Sequence, residues 1–218
     1  MRILAFNGSP RLKANTATML GCAISGAREN GAEVELFNLY RMQFSGCISC
    51  FSCKRLDTER PIVCAVEDEL KPVLEKVRGI DAMIIATPVY YGSESAATRA
   101  LIERLCFPYL NYADYTASHF PRRIPVGLIY TMNIPPERFK TMGYDVTFGR
   151  TRATLEREFG SCKMVLANNT TQYSDYSLYE ANATGEEKRA YRAAHFSHDC
   201  RNARQLGAQL ASGKLFGS

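Results

Sequence analysis

The sequence predicts an α/β protein built on one five-stranded parallel sheet, with helices on both faces. Three observations carry that prediction. Five short apolar runs recur along the chain, starting near Ile3, Val34, Ala82, Val126 and Met164, and most are too continuous for strands with one wet face. Segments with apolar residues at helical spacing separate these runs, and alternating strands and helices give a doubly wound parallel sheet. The 218 residues are 46% hydrophobic and show no repeat, low-complexity run or dividing linker, which suits a single domain over 1–218.

Taken in order, Ile3, Leu4, Ala5 and Phe6 form the first buried strand, which stops at the turn cluster Asn7-Gly8-Ser9-Pro10. Asn15 and Thr16 read as N-cap residues of a helix whose apolar face carries Leu20, Ala23, Ile24 and Ala27. Residues 33–39 alternate as a second strand. Residues 40–65 read as a cysteine-rich loop. Val66, Leu70, Val73, Leu74 and Val77 sit at helical spacing, and Pro72 predicts a late start to the regular helix. Residues 81–87 form a third strand, 88–93 a loop, and Ala97, Leu101, Ile102 and Leu105 mark the next helix. A long aromatic segment (106–123) precedes a fourth strand over 126–130, which ends at Thr131-Met132-Asn133. A helix with Phe148, Leu155 and Phe159 follows, then a fifth strand from Met164, a polar loop over 168–179 and a final helix over about 186–210.

The order 2-1-3-4-5, that of flavodoxin-like folds, puts a ligand crevice at the carboxyl ends of strands one and three. Here those ends are the loops 8–16 and 88–93, so two loops distant in sequence converge on one site. The first suits a phosphate. Backbone N–H groups point out of the helix end, Ser9, Asn15 and Thr16 add neutral donors, and Arg11 adds a cation. It has neither G-x-G-x-x-G spacing nor a G-K-[ST] ending. The second suits a flat aromatic ligand. Pro88 stiffens it, Val89, Tyr90 and Tyr91 are apolar or aromatic, and Gly92 before Ser93 allows close backbone approach. Thr131 and Asn133 are weaker candidates for a ring edge.

Gly8-Ser9-Pro10-Arg11 with Asn15-Thr16 resembles the FMN phosphate loop of the flavodoxin-like reductases. Pro88-Val89-Tyr90-Tyr91-Gly92-Ser93 resembles the P-V-Y-[FY]-G-S loop of NADPH-dependent FMN reductases and iron–sulfur flavoproteins. The resemblance implies FMN as cofactor, bound by these residues, and a flavin-dependent oxidoreductase. No second phosphate loop is present for the pyrophosphate and adenosine of FAD.

Eight cysteines are present. Cys22, Cys106, Cys162 and Cys200 are dispersed and read as core packing. Cys47, Cys50 and Cys53 stand at steps of three, with Cys64 after ten intervening residues. Compact C-x2-C-x2-C runs serve four-iron clusters, whereas structural zinc more often uses two separated pairs. Free thiols or a redox disulfide are also compatible with this spacing. The run also resembles iron–sulfur flavoproteins, whose last gap is usually shorter. That resemblance implies a 4Fe-4S cluster passing electrons to FMN, with a ferredoxin-like carrier as donor. Two rivals remain: an NAD(P)H-dependent FMN or quinone reductase without a cluster, and a flavin-binding module with little turnover.

The aromatic segment with Phe107, Tyr109, Tyr112, Tyr115 and Phe120 reads as an interface, and the resemblance implies a homodimer or dimer of dimers. Net charge is +5 with scattered basic residues, so no nucleic-acid partner is expected. No apolar run approaches the ~20 residues of a membrane span, and the amino-terminal residues do not read as a signal peptide; a cytoplasmic protein is expected. His119, His195 and His198 are isolated, Glu67 to Glu69 charge a helix start, and no serine nucleophile elbow occurs.

Overall fold

The computed structural model describes residues 1–57 and 63–217. Residues 58–62 of the predicted cysteine-rich loop lie outside them. Strands β1 (Arg2–Asn7), β2 (Glu33–Asn38), β3 (Ala82–Tyr90), β5 (Ile124–Thr131) and β6 (Gly160–Ala167) pair in the order β2-β1-β3-β5-β6, all parallel. This is the predicted topology. A two-residue strand, β4 (Ser93–Glu94), lies off that path and pairs antiparallel with the end of β3.

The helices are α1 (Asn15–Glu29), α2 (Lys71–Lys76), α3 (Ala96–Cys106), α4 (Tyr144–Phe159) and α5 (Gly185–Leu210). One face of the sheet buries α1 and α5, through Met19, Leu20, Ala23 and Ile24 against Ala203, Leu206 and Leu210. The other buries α2, α3 and α4, through Leu74, Leu101, Leu105, Phe148 and Phe159. Each fully buried aliphatic or aromatic side chain contributes about 1.5–3 kcal/mol. The middles of β1, β3 and β5 (residues 3–6, 82–86 and 126–129) are apolar because both of their faces are covered.

Several boundaries differ from expectation, each for a local reason. Asn15 and Thr16 are not caps: Ala14 is the N-cap, with no side-chain acceptor, and Asn15 opens the helix. β3 runs on through Pro88, which pairs with Thr131 at the edge of the ladder where its missing N–H does little harm. The predicted 88–93 loop is therefore a hairpin, with Tyr90 opposite Ser93. Tyr91 (φ 47°) and Gly92 (φ 79°) both lie at positive φ, as a type I′ two-residue turn requires. β6 begins at Gly160 rather than Met164. Gly160 takes φ 129°, and the chain passes from α4 into β6 with no connecting loop. α2 is short, with Pro72 in its first turn, and is followed by a single 3-10 turn over Val77–Gly79. α5 starts on a capping box between Thr184 and Glu187.

The aromatic segment divides. Tyr109 and Phe120 are buried and pack edge-on against each other and Phe159, with centroids 4.9–5.8 Å apart. Tyr112 and Tyr115 are exposed. Two of the five rings read as an interface, Tyr109 and Phe120, thus belong to the protein's own core, and Phe107 is half-buried. Cys106 and Cys162 are buried as expected, and burial raises both thiols, Cys162 to about 12. Cys22 and Cys200 are half-buried and face each other between α1 and α5. No helix among the described residues is long and apolar enough to cross a membrane.

Candidate functional site

At the carboxyl ends of β1, β3, β5 and β6 lies a cleft of about 230 Å³. Ser9, Arg11, Asn15, Thr16, Pro88, Val89, Tyr90, Thr131 and Asn133 all line it. Tyr91, Gly92 and Ser93 do not; they form the hairpin tip, and the Tyr91 side chain is fully exposed. A small-molecule pocket is commonly ~300–1,000 Å³, so this cleft takes part of a ligand and leaves the rest at its rim.

The floor is the β1–α1 loop. The Gly8 N–H donates to Ala86 O at 2.7 Å, and the Ser95 hydroxyl donates to Gly8 O at 2.7 Å. A Cβ on Gly8 would stand 1.9 Å from Thr98 Oγ1, so the loop sits against α3 as only glycine can. The Ser9 N–H donates to Asn7 Oδ1, and the Arg11 N–H donates to Ser9 Oγ at 3.1 Å, closing the loop into a ring. Above it stands the start of α1. Its first turn carries no acidic residue and no side-chain cap. Among the described residues the Asn15, Thr16 and Ala17 N–H groups meet no protein acceptor. Three free donors at the positive end of a 15-residue helix form an anion site.

The side chain of Asn15 serves differently from the expectation. Its Nδ2 donates to Thr171 O at 2.7 Å and its Oδ1 accepts from Arg192 Nη1 at 2.6 Å. The amide is consumed in tying α1 to α5 and to the β6–α5 loop. What residue 15 offers a ligand is its backbone N–H. Thr16 and Thr131 share a hydroxyl–hydroxyl bond of 2.7 Å, which joins the anion site to the end of β5. Arg11 is exposed and donates to Gln172 O at 2.6 Å, closing one side of the cleft. Partial burial raises the Tyr90 hydroxyl above its ordinary value, with the nearby Arg11 charge acting the other way.

Residues 170–173 and Ala14 also line the cleft and escaped sequence reasoning; Met132, which the sequence offered with Thr131 and Asn133 as a weaker candidate, lines it too. The available signal was topological: β6 neighbours β5, so its carboxyl end opens on the same crevice. Lys188 and Arg192 on α5 stand behind this wall and were missed too.

Cys47, Cys50, Cys53 and Cys64 line a second, much smaller cavity, with Ile48, Phe51, Phe107, Pro108 and Arg104. Its volume is about 10 Å³, room for no more than about one water. Ser49 and Phe51 alternate with the cysteines at φ 54° each, an uncommon backbone for such residues. Arg104 is buried and anchors the loop: Nε donates to Cys64 Sγ at 3.3 Å, Nη1 to Ser45 O at 3.2 Å, Nη2 to Val66 O at 3.0 Å, and the guanidinium pairs with Asp68. Bonds from Ser52 lower the Cys50 thiol, while burial raises that of Cys53. All four thiols thus border one small cavity. Among the described residues, though, no three cysteine, histidine or carboxylate side chains are arranged to hold a metal ion. The donor set suits a cluster, but the cavity as it stands does not accommodate one.

Comparison with known proteins agrees with the fold. An iron-sulfur flavoprotein of Methanosarcina thermophila is 32% identical over 104 residues, 48% of this chain and 52% of that protein. One of Archaeoglobus fulgidus is 34% identical over 104 residues, 48% of each. The chain spans about half the length of the curated relatives it matches. Among solved structures, the NAD(P)H:quinone oxidoreductase from Methanothermobacter marburgensis superposes with a TM-score of 0.70 at 16% identity, covering 96% of both chains, a likeness of fold. Residues 1–128, which include the β1–α1 loop, the cysteines and the β3–β4 hairpin, match the NADPH-dependent FMN reductase family, and the chain belongs to that family.

Proposed function

We propose that this protein is an FMN-dependent oxidoreductase whose cofactor phosphate sits at the start of α1. The observation that carries the reading is the uncapped first turn of α1, with three backbone donors free above the Ser9 loop. When bound, FMN supplies the redox chemistry, taking electrons singly or as hydride. The chain's own residues bind and orient it: Ser9 and Thr16 flank the phosphate position, and Pro88, Val89 and Tyr90 offer a flat apolar rim. FMN suits this cleft better than FAD because only one anion site opens into it. Ser9→Asp sets a carboxylate against the phosphate, so the purified variant should be colourless while the wild type is yellow. Release of FAD on boiling, or a yellow Ser9→Asp protein, would sink the assignment.

The finer reading is an iron–sulfur flavoprotein, with Cys47, Cys50, Cys53 and Cys64 holding a 4Fe-4S cluster and a ferredoxin-like one-electron donor. The compact spacing of Cys47, Cys50 and Cys53 and the names of the relatives support it. The second reading, an NAD(P)H-dependent reductase without a cluster, is favoured by the thiol arrangement described above. Anaerobic visible spectra with iron and sulfide counts separate them. Under the cluster reading, Cys50→Ser loses iron but keeps FMN. Equal iron in wild type and a Cys47/Cys50/Cys53 triple serine variant leaves the plain reductase. A homodimer, with exposed Tyr112 and Tyr115 at its contact, completes the proposal and is tested by light scattering.

A further inference from the structure

Lys188 is 1% exposed, yet no carboxylate pairs with it among the described residues. Its ammonium donates to two amide oxygens, Asn133 Oδ1 and Asn169 Oδ1. A buried ammonium held only by neutral groups is an uncommon arrangement, because burial penalises the charged form and no opposite charge offsets it. Burial lowers its proton affinity accordingly. The geometry gives the charge a direction. Asn133 lines the cleft, so Lys188 stands one side chain behind the cleft wall. Asn169 takes a left-handed φ of 49°, a conformation asparagine tolerates, and presents its amide oxygen to the ammonium. Asn133 turns its oxygen to Lys188 and its Nδ2 toward Asn182 Oδ1 at 3.3 Å, which fixes the orientation of the amide. An excess positive charge behind one wall stabilises whichever state of the ligand is more negative.

We propose that Lys188 is a positioning residue that acts through Asn133 to make the cleft favour the reduced, negatively charged form of the bound flavin over the oxidised form. The inference rests on the FMN reading above. Reduced flavin gains negative charge at neutral pH, whereas its phosphate is unchanged between the two states. A charge near the ring therefore moves the reduction potential, while a charge near the phosphate strengthens both states equally.

The test is the midpoint potential of FMN in the full-length protein, followed at the flavin absorbance against a reference dye, for wild type, Lys188→Met and Lys188→Arg. In the wild type the bound flavin should lie above free FMN. Lys188→Met should lower the preference for the reduced state about tenfold, which is a fall of about 30 mV for a two-electron couple. Lys188→Arg keeps the charge and should restore most of it. A potential unchanged in Lys188→Met overturns the proposal, whether FMN affinity is intact (a structural lysine) or falls equally for both states (a phosphate lysine). If Lys188→Met does not fold, Lys188→Gln keeps a donor to Asn133 and takes its place, and a wild-type potential at or below that of free FMN overturns the proposal unaided. Protein that never binds FMN defeats the parent reading instead.

Discussion

Tyr91 is the residue whose backbone and side chain disagree most. It occupies a left-handed conformation that suits asparagine or glycine, and its ring touches nothing within the subunit. Such a position costs of order 1 kcal/mol for a bulky residue. Tyr91→Asn should therefore raise the stability of the apoprotein by roughly 0.5–1 kcal/mol, read as a higher urea midpoint at unchanged slope; a lower midpoint would show that the ring packs after all. The same residue marks a boundary of what sequence can tell. Gly92 announces a turn, but the turn type depends on the pairing of Tyr90 with Ser93, and that follows from how far β3 extends. Ser9 was legible because its bonds run to near neighbours, Asn7 and Arg11, whereas the Thr16 bond to Thr131 spans 115 residues and was not. Asn15 was legible as a site residue but not in its role, since that depends on Arg192, 177 residues away.

Among the elements, α1 and α5 run side by side as parallel helices in close register. Arg192 meets Asn15, Cys200 meets Cys22, and Arg204 meets Glu29. A Cβ on Gly207 would stand 1.9 Å from Ala23 O, and one on Gly26 would stand 2.0 Å from Arg204 O. The helices cross backbone to backbone at these points. Gly207→Ala cannot be relieved by rotating a side chain, so it should destabilise the protein by about 2 kcal/mol or more despite alanine's better helix propensity; a stabilised variant would contradict this packing. α1 was plain from apolar spacing, and α5 was expected over about 186–210. Their partnership was not, because the glycines that allow it look like helix weaknesses in the sequence. For the same reason α5 carries two residues that brace the cleft and no motif that says so.

For the molecule as a whole, acid is the sensitive direction. Glu94 on β4 is buried, which alone would raise its carboxyl. Bonds from Tyr130 Oη at 2.6 Å, Thr151 Oγ1 at 2.7 Å and Ser93 Oγ at 2.9 Å outweigh that and hold it below its ordinary 4.5. Asp68 is likewise raised by desolvation but held below 3.8 by Arg104. Groups lowered in the folded state stabilise it fully above their unfolded values, and that contribution is lost as pH falls through the folded ones. Stability should therefore be flat with respect to these groups above about pH 5 and decline below about pH 4. Glu94→Gln should flatten part of that decline in urea titrations across pH 3–6; an unchanged acid limb would mean that Glu94 does not titrate with unfolding. Glu94 joins β4, β5 and α4, and Asp68 with Arg104 joins the cysteine loop to α3, so acid loosens both sites together.

The register of α1 against α5 also orders events in the life of the chain. A ribosome releases β1, the Ser9 loop and α1 well before α5, yet Arg192, which ties the start of α1 through Asn15, emerges 177 residues after that partner, and Lys188, which stands behind Asn133, emerges 55 residues after its own. Until α5 has left the exit tunnel, the apolar side of α1 has only the sheet to cover it and the cleft lacks the part of its back wall that α5 supplies. The phosphate loop is made well before it becomes usable, so cofactor capture belongs after α5 has been made.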